Sequence, residues 1–211
     1  METIQYIALS MGVAWASGIN LYAAVFMLGY LGSTGNINLP PDLMVVTDPL
    51  VMTAAGLMYC VEFFADKTPG VDTAWDSVHT FIRIPLGAVL AMSAVGETTP
   101  AVELAAFLVG GSLTAATHAT KTGGRAIINT SPEPVSNWTA SVSEDILVIT
   151  GIWAALNHPL FFVVFLVLFI ILMIWLLPKI FRALKSIVTR IRGFIKGNKN
   201  PTDTPVLRPP Q

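Results

Sequence analysis

The stretch Pro159-Leu-Phe-Phe-Val-Val-Phe-Leu-Val-Leu-Phe-Ile-Ile-Leu-Met-Ile-Trp-Leu-Leu177 decides the class of fold, because it contains no charged or amide side chain. An α-helix rises about 1.5 Å per residue, so about 20 mostly apolar residues cross a hydrocarbon core of about 30 Å. In the whole chain of 211 residues, 54% are hydrophobic and 12% are charged, and the mean hydropathy is +0.67. A soluble domain carries about a quarter charged residues. The sequence therefore predicts a polytopic helical membrane protein, with this stretch as a lipid-facing anchor.

Six stretches are apolar enough to form membrane helices. They lie near residues 5–31, 47–66, 78–96, 101–120, 138–157 and 159–178. We therefore expect an all-α fold with about six hydrophobic segments in one membrane domain, residues 1–178. The first stretch contains Ala16-Ser17-Gly18-Ile19-Asn20, whose small and polar residues predict a packed or broken helix. Charged residues compromise the third and fifth stretches, so re-entrant hairpins are an alternative for 78–96 and 138–157.

The distribution of lysine and arginine predicts the orientation, because cytoplasmic flanks of membrane helices collect these residues. Eight of the 12 follow Leu177. With six crossings, the N-terminus lies on the same side as this basic segment. The outer connections then contain no Lys or Arg, whereas Lys67, Lys121 and Arg125 fall inside. We predict a multi-pass protein of the bacterial inner membrane with both termini cytoplasmic.

The C-terminal part of the chain differs from the membrane domain in composition. Residues 179–197 place apolar and basic side chains at helical spacing, which predicts an amphipathic helix that lies on the inner leaflet and binds anionic lipid. Residues 198–211 are rich in Asn, Thr and Pro and are predicted to be disordered. The basic residues lie beside a membrane stretch, so we exclude a nucleic-acid surface. A single cysteine, Cys60, excludes an internal disulfide, and a homo-oligomer is left open.

The first group of candidate functional residues lies around the Pro69-Gly70 break. Glu62 and Asp66 have i, i+4 spacing before the break, and a second helical stripe follows it. The members of this group are Glu62, Asp66, Lys67, Asp72 and Asp76, with His79 and Arg83 further along the second stripe. Nothing in the sequence requires a cofactor, but the four acids of this group, Glu62, Asp66, Asp72 and Asp76, are candidate ligands for a divalent cation.

The second group comprises His118, Lys121 and Arg125 and, after a Pro- and Ser-rich connection, Glu144 and Asp145. A charge inside a membrane costs about 3 kcal/mol on insertion scales, so unpaired charges in these segments would be prohibitive. We therefore predict that members of both groups meet in one polar cavity in the inner half of the bilayer: Glu62, Asp66, Lys121, Arg125, Glu144 and Asp145.

At these residues the sequence resembles a bacterial integral-membrane family known only as a domain of unknown function, family 4126. The resemblance covers about residues 8–157. It is carried by Ala16-Ser17-Gly18-Ile19-Asn20, by Glu62-Phe-Phe-Ala-Asp-Lys-Thr-Pro-Gly-Val-Asp72, and by the run from His118 to Asp145. The resemblance implies a shared membrane fold and no mechanism, because the family has no assigned activity.

Two shorter motifs are similar to motifs of cation-binding membrane proteins. The run from Glu62 to Thr68 looks like the Glu-x-Gly-Asp-Lys-Thr signature of calcium and manganese exchangers, although it is one residue longer and lacks the glycine. The Asp72-x-x-x-Asp76 motif is similar to the magnesium-diphosphate motif of intramembrane prenyltransferases, of which this chain lacks a second copy.

These observations favour a small transporter or channel-like permease for an ion or small charged solute, with proton coupling as a further option. Ser17 and Asn20 would line the broken helix, and the excess of acids favours a cation. Glu62 and Glu144 are the candidate proton carriers, because both are embedded in hydrophobic segments. Two alternatives stay open. One is an intramembrane enzyme that acts on a lipid head group through a divalent metal at the Asp cluster, and the other is a non-catalytic membrane scaffold.

Overall fold

A computed structural model describes residues 2–130 and 134–195, which are all-helical and contain no β-strand. The helices are α1 (Glu2–Ser33), a short 3₁₀ helix (Pro41–Thr47), α2 (Pro49–Ala65), α3 (Val71–Ser93), α4 (Pro100–Ile128), α5 (Pro134–Asn157) and α6 (Pro159–Ile195). The predicted all-α membrane fold is confirmed.

Four helices are long and apolar enough to cross a membrane: Thr3–Ser33, Pro100–Ile128, Val135–Asn157 and Pro159–Arg190. The 3₁₀ helix and α2 meet the same criterion together, with a bend of 63° between them. Asp48 sits at this bend and caps α2, because its side chain accepts a hydrogen bond from the Leu50 amide at 2.7 Å. The expected count of about six segments is therefore approximate.

The hairpins considered for the third and fifth stretches are not formed. Both α3 and α5 are single continuous helices. α3 is not among the four apolar helices because its first half carries a buried polar stripe, Asp72, Asp76, His79 and Arg83. This stripe faces the interior of the bundle, so the helix needs no lipid-compatible surface on that side.

The helix that folds back is α1. Its backbone leaves the helical region at Asn20 (φ −147°, ψ 96°), which confirms the predicted break. The Asn20 Oδ1 atom accepts a hydrogen bond from the Ala23 amide at 2.9 Å and so caps the second half. Tyr6 and Pro40 both lie against Gly96, so the start of α1 and the segment that follows it are at the same end of the bundle. α1 is therefore a re-entrant hairpin that does not cross from one end to the other.

The fold-back of α1 bears on the predicted topology. We call the end of the bundle that contains Tyr6, Pro40 and Gly96 the N-terminal end. Asp72 and Asn129 are hydrogen-bonded to each other at the opposite end. α6 starts beside α1, where Phe162 lies against Gly12, and it runs past Gly123 towards that opposite end. The two ends of the described chain, residues 2 and 195, therefore lie at opposite ends of the bundle, whereas the sequence predicts both termini on one side of the membrane.

α1 forms the centre of the bundle. In the most apolar stretch of α1, 72% of the residues are buried, compared with 17% in the most apolar stretch of α6. Trp15, which is fully buried, lies against Gly151 and meets the rings of Phe162, Phe165 and Phe169 edge-on. The exposed surface of α6 agrees with the expected lipid-facing anchor.

The basic segment after residue 178 is not a separate helix up to Ile195, because α6 continues through Pro178. Its first residues still pack on the bundle, where Ile180 lies against Gly123. The end of this segment and the tail predicted to be disordered, residues 198–211, lie outside the described residues.

A candidate charged site at the bend of α1

Charged side chains from four helices meet around the bend of α1. The set, which we call the charge cluster, comprises Glu62 of α2 and Asp66 just after it, Asp76 and Arg83 of α3, Lys121 and Arg125 of α4, and Glu144 and Asp145 of α5. Apart from Glu144, each of these residues is at most 8% exposed. Both predicted groups therefore contribute to one site, as charge pairing in a low-dielectric interior requires.

Lys121 lies at the centre of the charge cluster. Its Nζ atom is surrounded by five oxygens: Asp66 Oδ2 at 2.8 Å, the Ile19 carbonyl at 2.9 Å, Glu62 Oε1 at 3.3 Å, Glu144 Oε2 at 3.7 Å and Asp76 Oδ1 at 3.8 Å. These oxygens come from α1, α2, α3 and α5, so one ammonium group links four parts of the bundle.

Arg83 forms a second link between the helices. Its guanidinium pairs with Glu62 through Nη2, lies 3.2 Å from Asp76 through Nη1, and donates to the Ile19 carbonyl at 3.1 Å. Arg83 was not among the residues selected as functional from the sequence. The sequence nevertheless indicated Arg83, because Arg83 lies on the same helical stripe as Asp76.

Arg125 and Glu144 form a bidentate ion pair at the edge of the charge cluster. The two contacts are Nε to Oε1 at 3.1 Å and Nη2 to Oε2 at 2.7 Å. The remaining nitrogen of Arg125, Nη1, donates to the backbone carbonyls of Asp66 and Asn137. The side chain of Glu144 is 19% exposed, which makes it the most accessible carboxylate of the charge cluster.

The bend of α1 supplies polar groups to the charge cluster. The break at Asn20 exposes the Ile19 carbonyl, which accepts hydrogen bonds from both Arg83 and Lys121. A carbonyl at the C-terminal end of a helix carries the negative end of the helix dipole, so it favours cationic partners. The Asn20 amide donates to Asp145 at 3.1 Å. Ser17 is buried one turn earlier, and its hydroxyl has no hydrogen-bond partner among the described residues.

Two predicted site residues border the charge cluster without joining its ion pairs. His118 Nε2 lies 2.7 Å from the Thr80 hydroxyl. Lys67 Nζ donates to the Ser141 hydroxyl at 3.1 Å and lies 3.0 Å from the centre of the Phe63 ring. Burial in this environment lowers the pKa of the Lys67 ammonium.

Asp72 lies apart from the other acids, at the opposite end of the bundle. Both of its oxygens accept hydrogen bonds from Asn129 Nδ2, at 2.8 Å and 2.9 Å. Asn129 in turn accepts from Asn137 at 2.7 Å, and Asn137 accepts from Arg125. A chain of hydrogen bonds therefore connects Asp72 to the edge of the charge cluster.

The four acids selected as metal ligands do not converge on one point. Asp72 is held by Asn129, and the other three acids face the ammonium of Lys121. Within residues 2–130 and 134–195, no group of three or more His, Cys, Asp and Glu side chains is arranged to hold a metal ion.

The charge cluster has more carboxylates than cations and more acceptors than donors. It contains five carboxylates and three cationic side chains. Four buried oxygens of the cluster have neither a hydrogen-bond nor an ion-pair partner among the described residues: Glu62 Oε2, Asp66 Oδ1, Asp76 Oδ2 and Asp145 Oδ2. Buried polar atoms without partners are costly, so these oxygens are the unsatisfied part of the charge cluster.

Comparison with known proteins places the chain in a family. Neither the curated proteins nor the solved structures contain a match to it. The sequence model of a family described as Domain of unknown function (DUF4126) matches residues 7–179. This match includes the apolar part of α6, so the expected range of 8–157 ended too early. The chain belongs to the DUF4126 family.

Proposed function

We propose that this protein is a small permease for a cation, with protons bound and released at the charge cluster. The observation that carries the proposal is the bend of α1, where Ile19 and Asn20 contact a buried cluster with an excess of carboxylates. Many secondary transporters build their ion sites in this way, from a discontinuous helix whose ends meet the ion near the middle of the membrane.

The surroundings of the charge cluster support a site that opens to one side at a time. A pocket of about 590 Å³ at the N-terminal end is lined by Tyr6 and the segment Asn36–Pro41. Trp15 and Gly151 pack together between this pocket and the cluster. At the opposite end, a hydrogen bond between Asp72 and Asn129 joins α3 to the end of α4, and in the proposal this contact is the second closure. In the proposal, transport requires each closure to open in turn.

The proposed orientation places the basic half of α6 in the cytoplasm of a bacterial cell and the N-terminus outside. Lys67, Arg83, Lys121 and Arg125 are buried, so they do not flank the membrane and carry no information on orientation. The basic residues of α6 that are exposed are Lys179, Arg182, Lys185, Arg190 and Arg192. Their proposed partner is the anionic lipid of the inner leaflet.

Flux through reconstituted protein tests this proposal. The purified chain is inserted into liposomes that contain a trapped pH indicator, and gradients of K⁺, Na⁺, NH₄⁺, Mg²⁺ or chloride are applied. We expect a cation gradient to change the internal pH faster than in protein-free liposomes. If no gradient produces such a change, the scaffold alternative replaces the permease.

A further inference from the structure

The ammonium group of Lys121 is bound as a free cation would be bound. Five oxygens surround Nζ at 2.8 Å to 3.8 Å, and four of them belong to different carboxylates. An ammonium has three N–H donors, so the surrounding shell offers more acceptors than Lys121 can use. The fifth oxygen is the Ile19 carbonyl, which the bend of α1 frees from helical hydrogen bonding.

The spacing of these oxygens indicates the class of cation. The nearest two, from Asp66 and Ile19, lie at 2.8 Å and 2.9 Å, within the range of about 2.7–3.2 Å for hydrogen bonds from nitrogen. Calcium holds its oxygen ligands at about 2.3–2.6 Å and magnesium at about 2.0–2.1 Å. The shell as it stands holds an ammonium group at hydrogen-bond distances, and a free ammonium or a monovalent ion of similar size, such as potassium, fits the same distances.

Further buried oxygens beside this shell have no donor. Glu62 Oε2, Asp66 Oδ1 and Asp76 Oδ2 are buried and lack a hydrogen-bond partner among the described residues. They belong to the same three carboxylates that contact Lys121. A cation that is not tethered to α4 could move among these oxygens, which the lysine side chain cannot do.

Charge and space both permit Lys121 to be displaced. The charge cluster holds five carboxylates against three cationic side chains, so it can take up a further monovalent cation without becoming positive. A cleft of about 190 Å³ between α4, α5 and α6 is lined by Lys121, Arg125 and Glu144. The displaced ammonium therefore has space to enter beside Glu144, the most accessible carboxylate.

We propose that Lys121 is a tethered ammonium that occupies a binding site for a free monovalent cation of ammonium or potassium size, and that this cation binds by displacing it. The proposal names the cation class of the permease and rests on the proposed function for the transport step. Binding itself is independent of flux and can be measured without it.

The first test is rescue of the Lys121→Ala variant by free cations. The full-length variant is purified in detergent, and its thermal unfolding midpoint is measured in ammonium, methylammonium, potassium, calcium or choline chloride at equal ionic strength. We expect ammonium, methylammonium and potassium to raise the midpoint by about 4 °C or more, with saturation, because ligand binding stabilises the folded state. Choline is too large for the shell, and calcium prefers shorter distances to its oxygen ligands. Neither should therefore raise the midpoint.

The matched control is Lys67→Ala, which also removes a buried lysine. Lys67 contacts a hydroxyl and an aromatic ring and has no shell of carboxylates, so its removal should create no cation-selective stabilisation. Equal midpoints of Lys121→Ala in all five salts, or a larger rise with calcium than with potassium, would overturn the proposal.

A second measurement uses the wild-type chain and does not depend on the folding of a variant. An amine-reactive reagent is applied in potassium chloride or in choline chloride, and labelling of Lys121 and Lys67 is read by mass spectrometry. Displacement predicts more labelling of Lys121 in potassium, with Lys67 unchanged. Labelling of Lys121 that is the same in both salts contradicts the proposal.

The failures of the two proposals are distinguishable. Cation-selective stabilisation without flux in liposomes would retain the binding site and reject the permease. Flux without cation-selective stabilisation or labelling would retain the permease and reject displacement of Lys121.

Discussion

Each buried charge in this protein depends on partners from other helices. Arg83 is fully buried and shares its guanidinium among Glu62, Asp76 and the Ile19 carbonyl. Removing one member of a buried ion pair leaves an uncompensated charge, which costs about 3–5 kcal/mol. The planar guanidinium fork also matches these acceptors in a way that an ammonium cannot. Arg83 therefore stabilises the fold and fixes the positions of two carboxylates.

We expect Arg83→Met to lower the free energy of unfolding by about 3–5 kcal/mol and the thermal midpoint by roughly 10 °C. Arg83→Lys should recover part of this loss. The control is Arg182→Met on the exposed face of α6, which should leave the midpoint unchanged. Equal midpoints for Arg83→Met and Arg182→Met would show that the buried pairs contribute nothing.

At the residue level, the sequence predicted that the charges would pair but not how. The free-energy cost of a charge in a membrane was sufficient to predict that Glu62, Lys121 and Glu144 lie in one site. The shell around Lys121 could not be predicted, because one of its oxygens is the Ile19 carbonyl, whose availability depends on the bend of α1. Asp72 was a candidate metal ligand because its acidic stripe converges on the turn that follows Glu62 and Asp66, but it lies at the end of the bundle and binds Asn129.

Among the helices, α1 determines the arrangement of the site. Asn20 both caps the second half of α1 and donates to Asp145. The small residue Gly18 lets the first half approach α4 at Thr114 and Thr117, where a larger side chain would collide with the backbone. Close packing on one side and a capped break on the other hold the bend at the level of the charge cluster.

Replacing Asn20 by Ala should destabilise the protein by about 1–3 kcal/mol, because the Ala23 amide loses its cap and Asp145 loses a donor. The effect is read as a lower thermal midpoint. Asn38→Ala provides the matched control, since Asn38 lies exposed in the connection after α1. If Asn20→Ala and Asn38→Ala have the same thermal midpoint, the capped bend is not a stabilising feature.

The break in α1 was predictable from Ser17, Gly18 and Asn20. The fold-back of the second half of α1 was not. Small and polar residues show where a helix can bend, but they do not fix the angle or the direction of the second half. Contacts with other helices decide these, such as Gly29 against Val46 and Gly96 against Tyr6. The residue pattern of 5–31 is therefore equally compatible with a crossing helix and with the re-entrant hairpin that is found.

For the whole molecule, the fold-back of α1 bears on the predicted topology. With α1 folded back, the N-terminus and the basic half of α6 lie at opposite ends of the bundle. The predicted orientation counted Lys67, Lys121 and Arg125 as flanking residues, whereas they are buried in or beside the charge cluster. Only residues exposed beyond the apolar core report orientation.

Site-directed labelling tests this topology. In a Cys60→Ser background, single cysteines replace the exposed residues Thr3, Glu97, Thr130 and Ser186. An impermeant maleimide should label Thr3→Cys and Glu97→Cys in cells with an accessible outer face, and Thr130→Cys and Ser186→Cys only after lysis. Labelling of Thr3→Cys and Ser186→Cys from the same side would instead support the sequence-based topology, in which both termini lie on one side of the membrane.

The central claim is that the buried carboxylates carry the transported charge, and cation-driven pH change in liposomes measures this most directly. Glu62→Gln and Glu144→Gln mimic the protonated carboxyl and retain hydrogen-bonding ability. Each removes one charge of a buried ion pair, so both should melt at a lower temperature than wild type but still fold, which a thermal melt verifies. Glu97→Gln is the control, because Glu97 is exposed in the connection after α3. We predict that wild type and Glu97→Gln couple a cation gradient to internal pH, while both cluster variants lose this coupling. If the wild type moves a cation and both cluster variants move it with unchanged pH dependence, the carboxylates are structural and the account is wrong.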